Sequence, residues 1–525
     1  MAKLTGARKR AIKQHQTLQT KSAPDETADE PRVKKPAMIA ALTKLLGSVN
    51  WIDVTLVVIL LVSSFITRFY KIAEPAAVVF DEYHFWDFIA MYWRKTHLFD
   101  IHPPLGKLLL LLGGYMGGFQ PGDFGADKIG KVYPSTESFV SLRQTSAFFG
   151  VFHPALTYLT SRALGCDFVS SFTTGTMVLC ETMILIESRF VLVDSQVLFF
   201  SQMALLSALY LWKQPPKTTS RWFMVLVTGF FAGCALGIKW TTLATPGIIA
   251  IVSFFGLFLP TSRLSIIECV AAAASGLSIY IFADWVHFAL SVYSGMGDPF
   301  LPPHYQATLI GNKHFDASAK RKPFFPDLFL TKNVQMFRSN KSIKVRHPWE
   351  SKWYEWILDM RGILYWNNSA GGQERKIYLI GNPAVLLVAA SVVVCVMLIV
   401  LYNVNRVRLR RKPKEKHPLD QYKIELPFDW LGPAMILLLT YWLNLLPFIF
   451  VQRAAFIYHY IPGLYYAILL AGLLMNHLPR VVKTNVGAVI IVGTVFCFYR
   501  WSPWVYGLPL TVAGQKSLEL FKRWN

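Results

Sequence analysis

From Trp51 onward the chain alternates long apolar runs with short polar connections. A helix that crosses the hydrocarbon core of a bilayer needs about 20 mostly apolar residues. On that measure spans are expected near 51–69, 140–161, 168–186, 196–212, 222–238, 241–260, 265–287, 382–402, 430–449, 458–476 and 483–500. The run LGKLLLLLGGYMGGF at 105–119 is short and rich in glycine, and is expected to lie at the interface instead of crossing. Residues 1–50 contain no such run. Their basic clusters, Arg8–Lys13 and Arg32–Lys35, flank an acidic Asp25–Glu30 patch, as in a disordered cytosolic tail. No signal-peptide core precedes Trp51, so the first span is expected to act as an uncleaved anchor.

Composition agrees with a membrane class. Of 525 residues, 53% are hydrophobic and only 16% charged, against about 25% charged in soluble proteins. The formal net charge of +22 raises the question of nucleic acid. The basic residues, however, sit in short tracts between apolar runs, the placement that marks cytoplasmic loops and anionic headgroups, so no nucleic-acid partner is expected. The six cysteines form no C-x-x-C pair, and all but Cys166 fall inside apolar runs, which suits small buried side chains better than a metal or disulfide framework.

Charge also orients the chain. With the N-terminus in the cytosol, every cytosolic connection carries basic residues, most of all RVRLRRKPKEK within Asn403–Glu425. An odd number of spans then leaves the C-terminus on the far side. The expected organisation is a tail at 1–50, a catalytic membrane module at 51–290 with an outer loop at 70–139, a second outer loop at 291–381, a four-helix membrane module at 382–502, and a lumenal tail at 503–525. The second loop holds the sequons Asn340-Lys341-Ser342 and Asn367-Asn368-Ser369, both then open to lumenal glycosylation.

The first outer loop carries candidate chemistry. Asp81 and Glu82 follow the apolar run Ala76–Phe80, with His84 nearby and His102-Pro103-Pro104 and Lys107 downstream. Adjacent acids on a loop are ordinarily only solvated. Acids at a membrane boundary among aromatic rings are partly desolvated, and such ionisable groups are often functional. A sugar linked to a lipid phosphate would suit them. The phosphate leaves without needing an acid, a carboxylate takes the acceptor's proton, and a cation holds the phosphate as its charge grows. Arginine fits the last task through its planar fork. Cations at span ends or in outer loops are Arg68, Arg143, Arg189, Lys239, Arg361 and Arg453. Each could equally be a snorkelling or ion-paired side chain, Arg143 through Asp194 or Asp81.

At these residues the sequence resembles the dolichyl-phosphate-mannose–protein mannosyltransferase family. TRFYKI…VVFDEYHF and FDIHPPLGKLL resemble its first lumenal loop. SLRQTSAFFG, ESRFVLVDSQVLFF, GCALGIKWTTLAT, HPWESKWYEWILDMRGILYW, IYLIGNP and QRAAFIYHYIPGLYYA resemble later blocks in the same order. The resemblance implies an all-α polytopic membrane protein of the GT-C glycosyltransferase fold in the endoplasmic reticulum. It implies inverting transfer of mannose from a lipid-linked donor, dolichyl phosphate mannose, to Ser/Thr hydroxyls of polypeptides, with no cofactor or metal. By resemblance Asp81 is the catalytic acid, Glu82 its partner and Arg143 the arginine that holds the carrier phosphate. Arg68, Arg189 and Arg453 are further phosphate candidates. His102, Lys107, Lys239, His347, Glu350 and His459 are other candidate site residues. The family's members often dimerise, as homo- or heterodimers. One departure stands out: too few residues separate HYQATLIGNKHF from HPWESKWYEW for a three-repeat MIR domain, as in MIR-less members.

Two other readings are weighed beside this one. A GT-C transferase acting on a lipid or glycan would keep the acid pair. A transporter should show internal repeats and charges at mid-membrane, and a non-catalytic subunit should lack the acids; neither pattern is present.

Overall fold

The computed structural model describes residues 51–135, 137–319, 325–410 and 428–524. The expected tail at 1–50 and most of the basic tract within Asn403–Glu425 lie outside them. Helix α1 spans Trp51–Phe69. The loop expected on the outer side then carries α2 (Glu82–Trp93) and α3 (Leu105–Met116). The membrane module continues with α4 (Glu137–Val151), α5 (His153–Ala163), α6 (Phe168–Leu179), α7 (Thr182–Glu187), α8 (Asp194–Leu211), α9 (Thr219–Leu236), α10 (Ala244–Phe255) and α11 (Ile266–Leu290).

After α11 come a single turn, α12 (Pro303–Gln306), and a helix, α13 (Phe325–Ser342). A hairpin follows, β1 (Ile363–Ala370) and β2 (Gln373–Leu379), turning through Gly371 and Gly372 at positive φ. The last helices are α14 (Pro383–Arg410), α15 (Phe428–Leu445), α16 (Ile461–Asn476) and α17 (Arg480–Tyr506), and the chain closes with β3 (Leu510–Thr511) and α18 (Val512–Lys516).

Each expected span falls on a helix, although not every span is one long apolar helix. Among the described residues seven helices are long and apolar enough to cross a membrane by length and composition. The other four expected spans are shorter, broken or more polar. The 140–161 span divides into α4 and α5 at Phe152, ahead of Pro154 in the first turn of α5. The 168–186 span likewise divides into α6 and α7. The run at 105–119 forms a helix of 12 residues, about 18 Å long at 1.5 Å per residue, which is short against a ~30 Å core.

Small residues bring some helices close. A Cβ at Gly229 of α9 would lie 2.1 Å from the Ala272 carbonyl oxygen on α11, and one at Gly233 would lie 2.2 Å from that of Gly276. This is the small-xxx-small packing that lets membrane helices approach. Ion pairs tie the helix ends expected in the cytosol: Arg162 with Asp53 at 2.7 Å, Lys483 with Asp167 at 2.7 Å, and Arg221 with Glu268 at 2.6 Å. Glu268 also closes a capping box with Ser265 at the start of α11.

One expected boundary cuts through an element. The division at 502 falls inside α17, which runs to Tyr506. Residues 503–525 are not a separate tail among the described residues. β3 pairs antiparallel with β2, so the sheet runs β1-β2-β3, and Trp524 packs with Tyr378, Trp501 and Trp504. Burying these rings against the hairpin holds the segment down, a contribution that a span-by-span hydropathy reading does not register.

Candidate active site

The acid-bearing turn is built from backbone outward. Phe80 takes a left-handed conformation at φ 45, and Asp81 follows as the N-cap of α2. The Asp81 carboxylate makes no capping hydrogen bond. It faces a cavity of about 440 Å³, within the usual range for small-ligand sites. Burial pushes its pKa up to about 6, with the nearby Lys239 opposing and Asp194 and Asp100 adding to the rise.

Charged groups from distant segments converge on the same cavity. Lys239, just before the turn Trp240–Leu243, donates to both oxygens of Asp194 at the start of α8, at 2.9 and 2.7 Å. Asp100 and His102 face it from the loop between α2 and α3. Lys107 sits behind them and donates to Asp100 at 2.5 Å and to the carbonyls of His102 and Pro103. Burial would raise the Asp100 pKa, but Lys107 and His102 outweigh it and hold the carboxyl below its usual range. Burial drives the His102 imidazole down to about 3, so it is neutral at physiological pH. Arg453 and His459 also line the cavity. Arg453 forms no ion pair or hydrogen bond among the described residues, which leaves its fork open to the cavity.

Glu82 and Arg143 stand elsewhere. Both side chains are fully buried and form a two-pronged ion pair, Nε to Oε1 and Nη2 to Oε2, each 2.8 Å. Arg143 spends its remaining N–H groups on the carbonyls of Ile72 and Pro75 through Nη1, and of Ala77 through Nη2. Glu82 also accepts from the backbone N–H groups of Val79 and Val191 and from the Tyr133 hydroxyl. The pair therefore cages the backbone that leads to Asp81, and Arg143 has no donor left for a phosphate.

Arg68 and Arg189 are similar corrections. Arg68 donates to the carbonyls of Val178 and Leu179. Arg189 donates to those of Thr67, Arg68 and Lys71, with its guanidinium over the Tyr506 ring. Neither lines the cavity. His347 packs behind the cavity wall against Phe456, ring centroids 5.1 Å apart. Glu350 accepts from the His347 N–H and pairs with Arg346, away from the cavity. Arg361 donates to the Pro348 carbonyl. The structure thus gathers Asp81, His84, His102, Lys239, Arg453 and His459. It adds Glu187, Asp194, Asp100 and Tyr365, which sequence reasoning did not single out as site residues. Glu187 and Asp194 lie in the block ESRFVLVDSQ, seven residues apart at the mouths of two helices, and that spacing was the available signal.

A carboxylate, an open guanidinium and a neutral imidazole around one polar cavity give this site the means to accept a proton and to hold an anionic group. Comparison with known proteins gives the family. Residues 58–293 match the family described as dolichyl-phosphate-mannose-protein mannosyltransferase. Residues 325–524 match the C-terminal four TMM region of protein-O-mannosyltransferase. Dolichyl-phosphate-mannose–protein mannosyltransferase 1 of Candida albicans is 31% identical over 268 residues, covering 48% of this chain and 30% of that protein. Its Saccharomyces cerevisiae namesake is 31% identical over 284 residues, covering 52% and 35%. The alignments thus span about a third of these relatives' length. A chain of the S. cerevisiae protein O-mannosyltransferase Pmt1-Pmt2 complex bound to the sugar donor superposes with a TM-score of 0.81 at 20% identity, over 93% of this chain and 94% of that one. The fold is of the GT-C type. The chain belongs to the dolichyl-phosphate-mannose–protein mannosyltransferase family.

Proposed function

We propose that this chain transfers mannose from dolichyl phosphate mannose to Ser/Thr hydroxyls of polypeptides, with inversion at the sugar carbon. The observation that carries the reading is the pairing of Asp81 with Arg453 around one cavity. Asp81 takes the proton of the acceptor hydroxyl as its oxygen bonds to the sugar carbon, and the bond to phosphate breaks on the opposite face. Arg453, helped by Lys239, holds the phosphate as negative charge builds on it. The proposed step draws on no cofactor.

A second cavity supports a lipid-linked donor. It is a largely apolar groove of about 970 Å³ between α9, α10 and α11. The turn Trp240–Leu243 divides the two spaces: Lys239 and Thr241 face the polar cavity, whereas Trp240 and Leu243 face the groove. A polyprenyl chain in the groove would leave its phosphate beside Lys239. The assay is transfer of labelled mannose from dolichyl phosphate mannose to a Ser/Thr-rich peptide by the purified protein. Transfer to a lipid or glycan, and none to the peptide, would replace this reading with the other acceptor class. The relatives' names and the Pmt1-Pmt2 complex support assay of the chain with a family partner as well as alone.

Arg453→Ala is expected to lower kcat/KM for the donor by roughly 30–1000-fold, the scale of one lost donor to a developing charge. Arg453→Lys should restore only part, since an ammonium lacks the fork. Unchanged kinetics in a folded alanine variant would remove Arg453 from the phosphate site.

We further propose an endoplasmic reticulum location with the N-terminus cytosolic and the α12–β2 loop and C-terminus lumenal, which makes the sequons readable. They are not equivalent. Asn367 is exposed near the tip of the hairpin. Asn340 is half-buried, and its amide donates to the carbonyls of Ile101 at 2.7 Å and Met336 at 3.0 Å. Endoglycosidase treatment is expected to shift the gel mobility of the wild type and of Asn340→Gln, and to leave Asn367→Gln unshifted. A shift that disappears only in Asn340→Gln would contradict the packing of α13.

A further inference from the structure

The β1–β2 hairpin, remote in sequence from the first outer loop, reaches the acid-bearing turn through one residue. Pairing between the two strands is regular except at one point: Leu364 faces Tyr378 and Trp366 faces Ile377, so Tyr365 is an extra residue without a partner across the ladder. A bulge of this kind turns a side chain away from the alternation of its strand, and bulges are frequent beside active sites. Here the bulged residue turns to Phe80. The Tyr365 carbonyl accepts from the Phe80 N–H at 3.1 Å. The two rings stack with centroids 4.0 Å apart and planes 4° from parallel. The Tyr365 hydroxyl donates to Glu187 on α7. Both Tyr365 and Glu187 are almost wholly buried and line the cavity.

Phe80 needs such a partner. Its φ of 45 lies in the left-handed region that residues with a Cβ disfavour, and strain of this kind persists only where surrounding contacts over-determine it. The Phe456 and Tyr458 rings meet Phe80 only edge-on, with centroids more than 6 Å away. The face-to-face stack and the backbone bond both come from Tyr365. Asp81 is the next residue, and among the described residues its carboxylate has no hydrogen bond of its own to fix its aim.

We infer that Tyr365 is a positioning residue: its bulged backbone and ring clamp Phe80 in the left-handed turn that aims Asp81 into the cavity, and its hydroxyl anchors the clamp to Glu187. The inference rests on Asp81 as the base. It assigns the lumenal hairpin a part in catalysis without contact with the reacting atoms.

The test compares two substitutions with mannosyl transfer as the readout. Tyr365→Phe keeps the ring and backbone and loses only the anchor, and should stay within about 3-fold of wild-type kcat. Tyr365→Leu removes the stack, and should lower kcat by about 10–100-fold, the cost of aiming a reacting group about 1 Å off. The donor KM should change little in either, because among the described residues Tyr365 hydrogen-bonds to Glu187 and Phe80, and Lys239 to Asp194. Phe80→Leu removes the same stack from the other side and should reproduce the kcat loss, which covers the case of Tyr365→Leu failing to fold. Full kcat in a folded leucine variant overturns the inference. So does a loss in Tyr365→Phe equal to that in Tyr365→Leu, or failure of both leucine variants to fold, which would make the stack structural. Absence of transfer by the wild type would instead count against the mannosyltransferase reading itself.

Discussion

Asp81→Asn is expected to reduce transfer per folded molecule by about 100-fold or more, within the 10²–10⁴ range of general-base catalysis. Asparagine keeps the shape of the side chain and removes its ability to take a proton. Donor affinity should be nearly unchanged, since the phosphate contacts proposed above come from Arg453 and Lys239. The wild-type rate should rise with pH through about 6, the pKa to which burial pushes the carboxyl, because only the ionised form is a base. Stability should move the other way. An acid whose pKa is raised on folding binds its proton more tightly in the folded state. Its ionisation therefore destabilises the fold as pH rises from the ordinary carboxylate range through about 6. At pH 7 the asparagine variant should melt at or above the wild-type temperature. A variant that loses melting temperature in step with activity would make Asp81 a structural acid. Retention of a tenth or more of wild-type turnover would move the base elsewhere, with Glu187 the next carboxylate on the cavity wall.

The sequence exposes this site unevenly, and the reasons are physical. Long apolar runs announce membrane helices because composition alone decides whether a segment tolerates lipid. The position of Asp81 at a membrane boundary among aromatics was readable for the same reason. Which cation faces the cavity was not. Arg68, Arg143, Arg189 and Arg453 all sit at the ends of apolar segments, and nothing local separates a guanidinium caged by carbonyls from one facing a cavity. The cage around Arg143 consists of backbone oxygens of Ile72, Pro75 and Ala77, whose directions depend on a loop's path and not on residue type. The contribution of Tyr365 is hidden for a related reason. Its ring reaches Phe80 through a bulge, and the β1 sequence ILYWNNSA carries no glycine or proline to mark one.

The other large effect expected is on folding. Arg143→Ala should cost about 3–5 kcal/mol of stability, the usual result of removing one member of a buried ion pair and leaving its partner's charge uncompensated. Glu82 would keep its backbone donors from Val79 and Val191 but lose both prongs of the guanidinium, and three carbonyls would lose a donor. The loss should appear as a lower yield of monodisperse protein in detergent and a lower melting temperature. Arg143→Lys should rescue little, because one ammonium cannot reach both carboxylate oxygens and the carbonyls of Ile72, Pro75 and Ala77 together. Glu82→Gln should likewise lower the melting temperature, and the double variant Glu82→Gln/Arg143→Met should lose less than the sum, since neither charge is then stranded. Donor affinity of the surviving folded protein separates this account from a phosphate-binding one. It should be near normal if Arg143 only braces the backbone that ends at Asp81. An alanine variant with a wild-type melting temperature and a donor affinity reduced tenfold or more would return Arg143 to the donor site, and the cage of carbonyls would have to open when the donor binds.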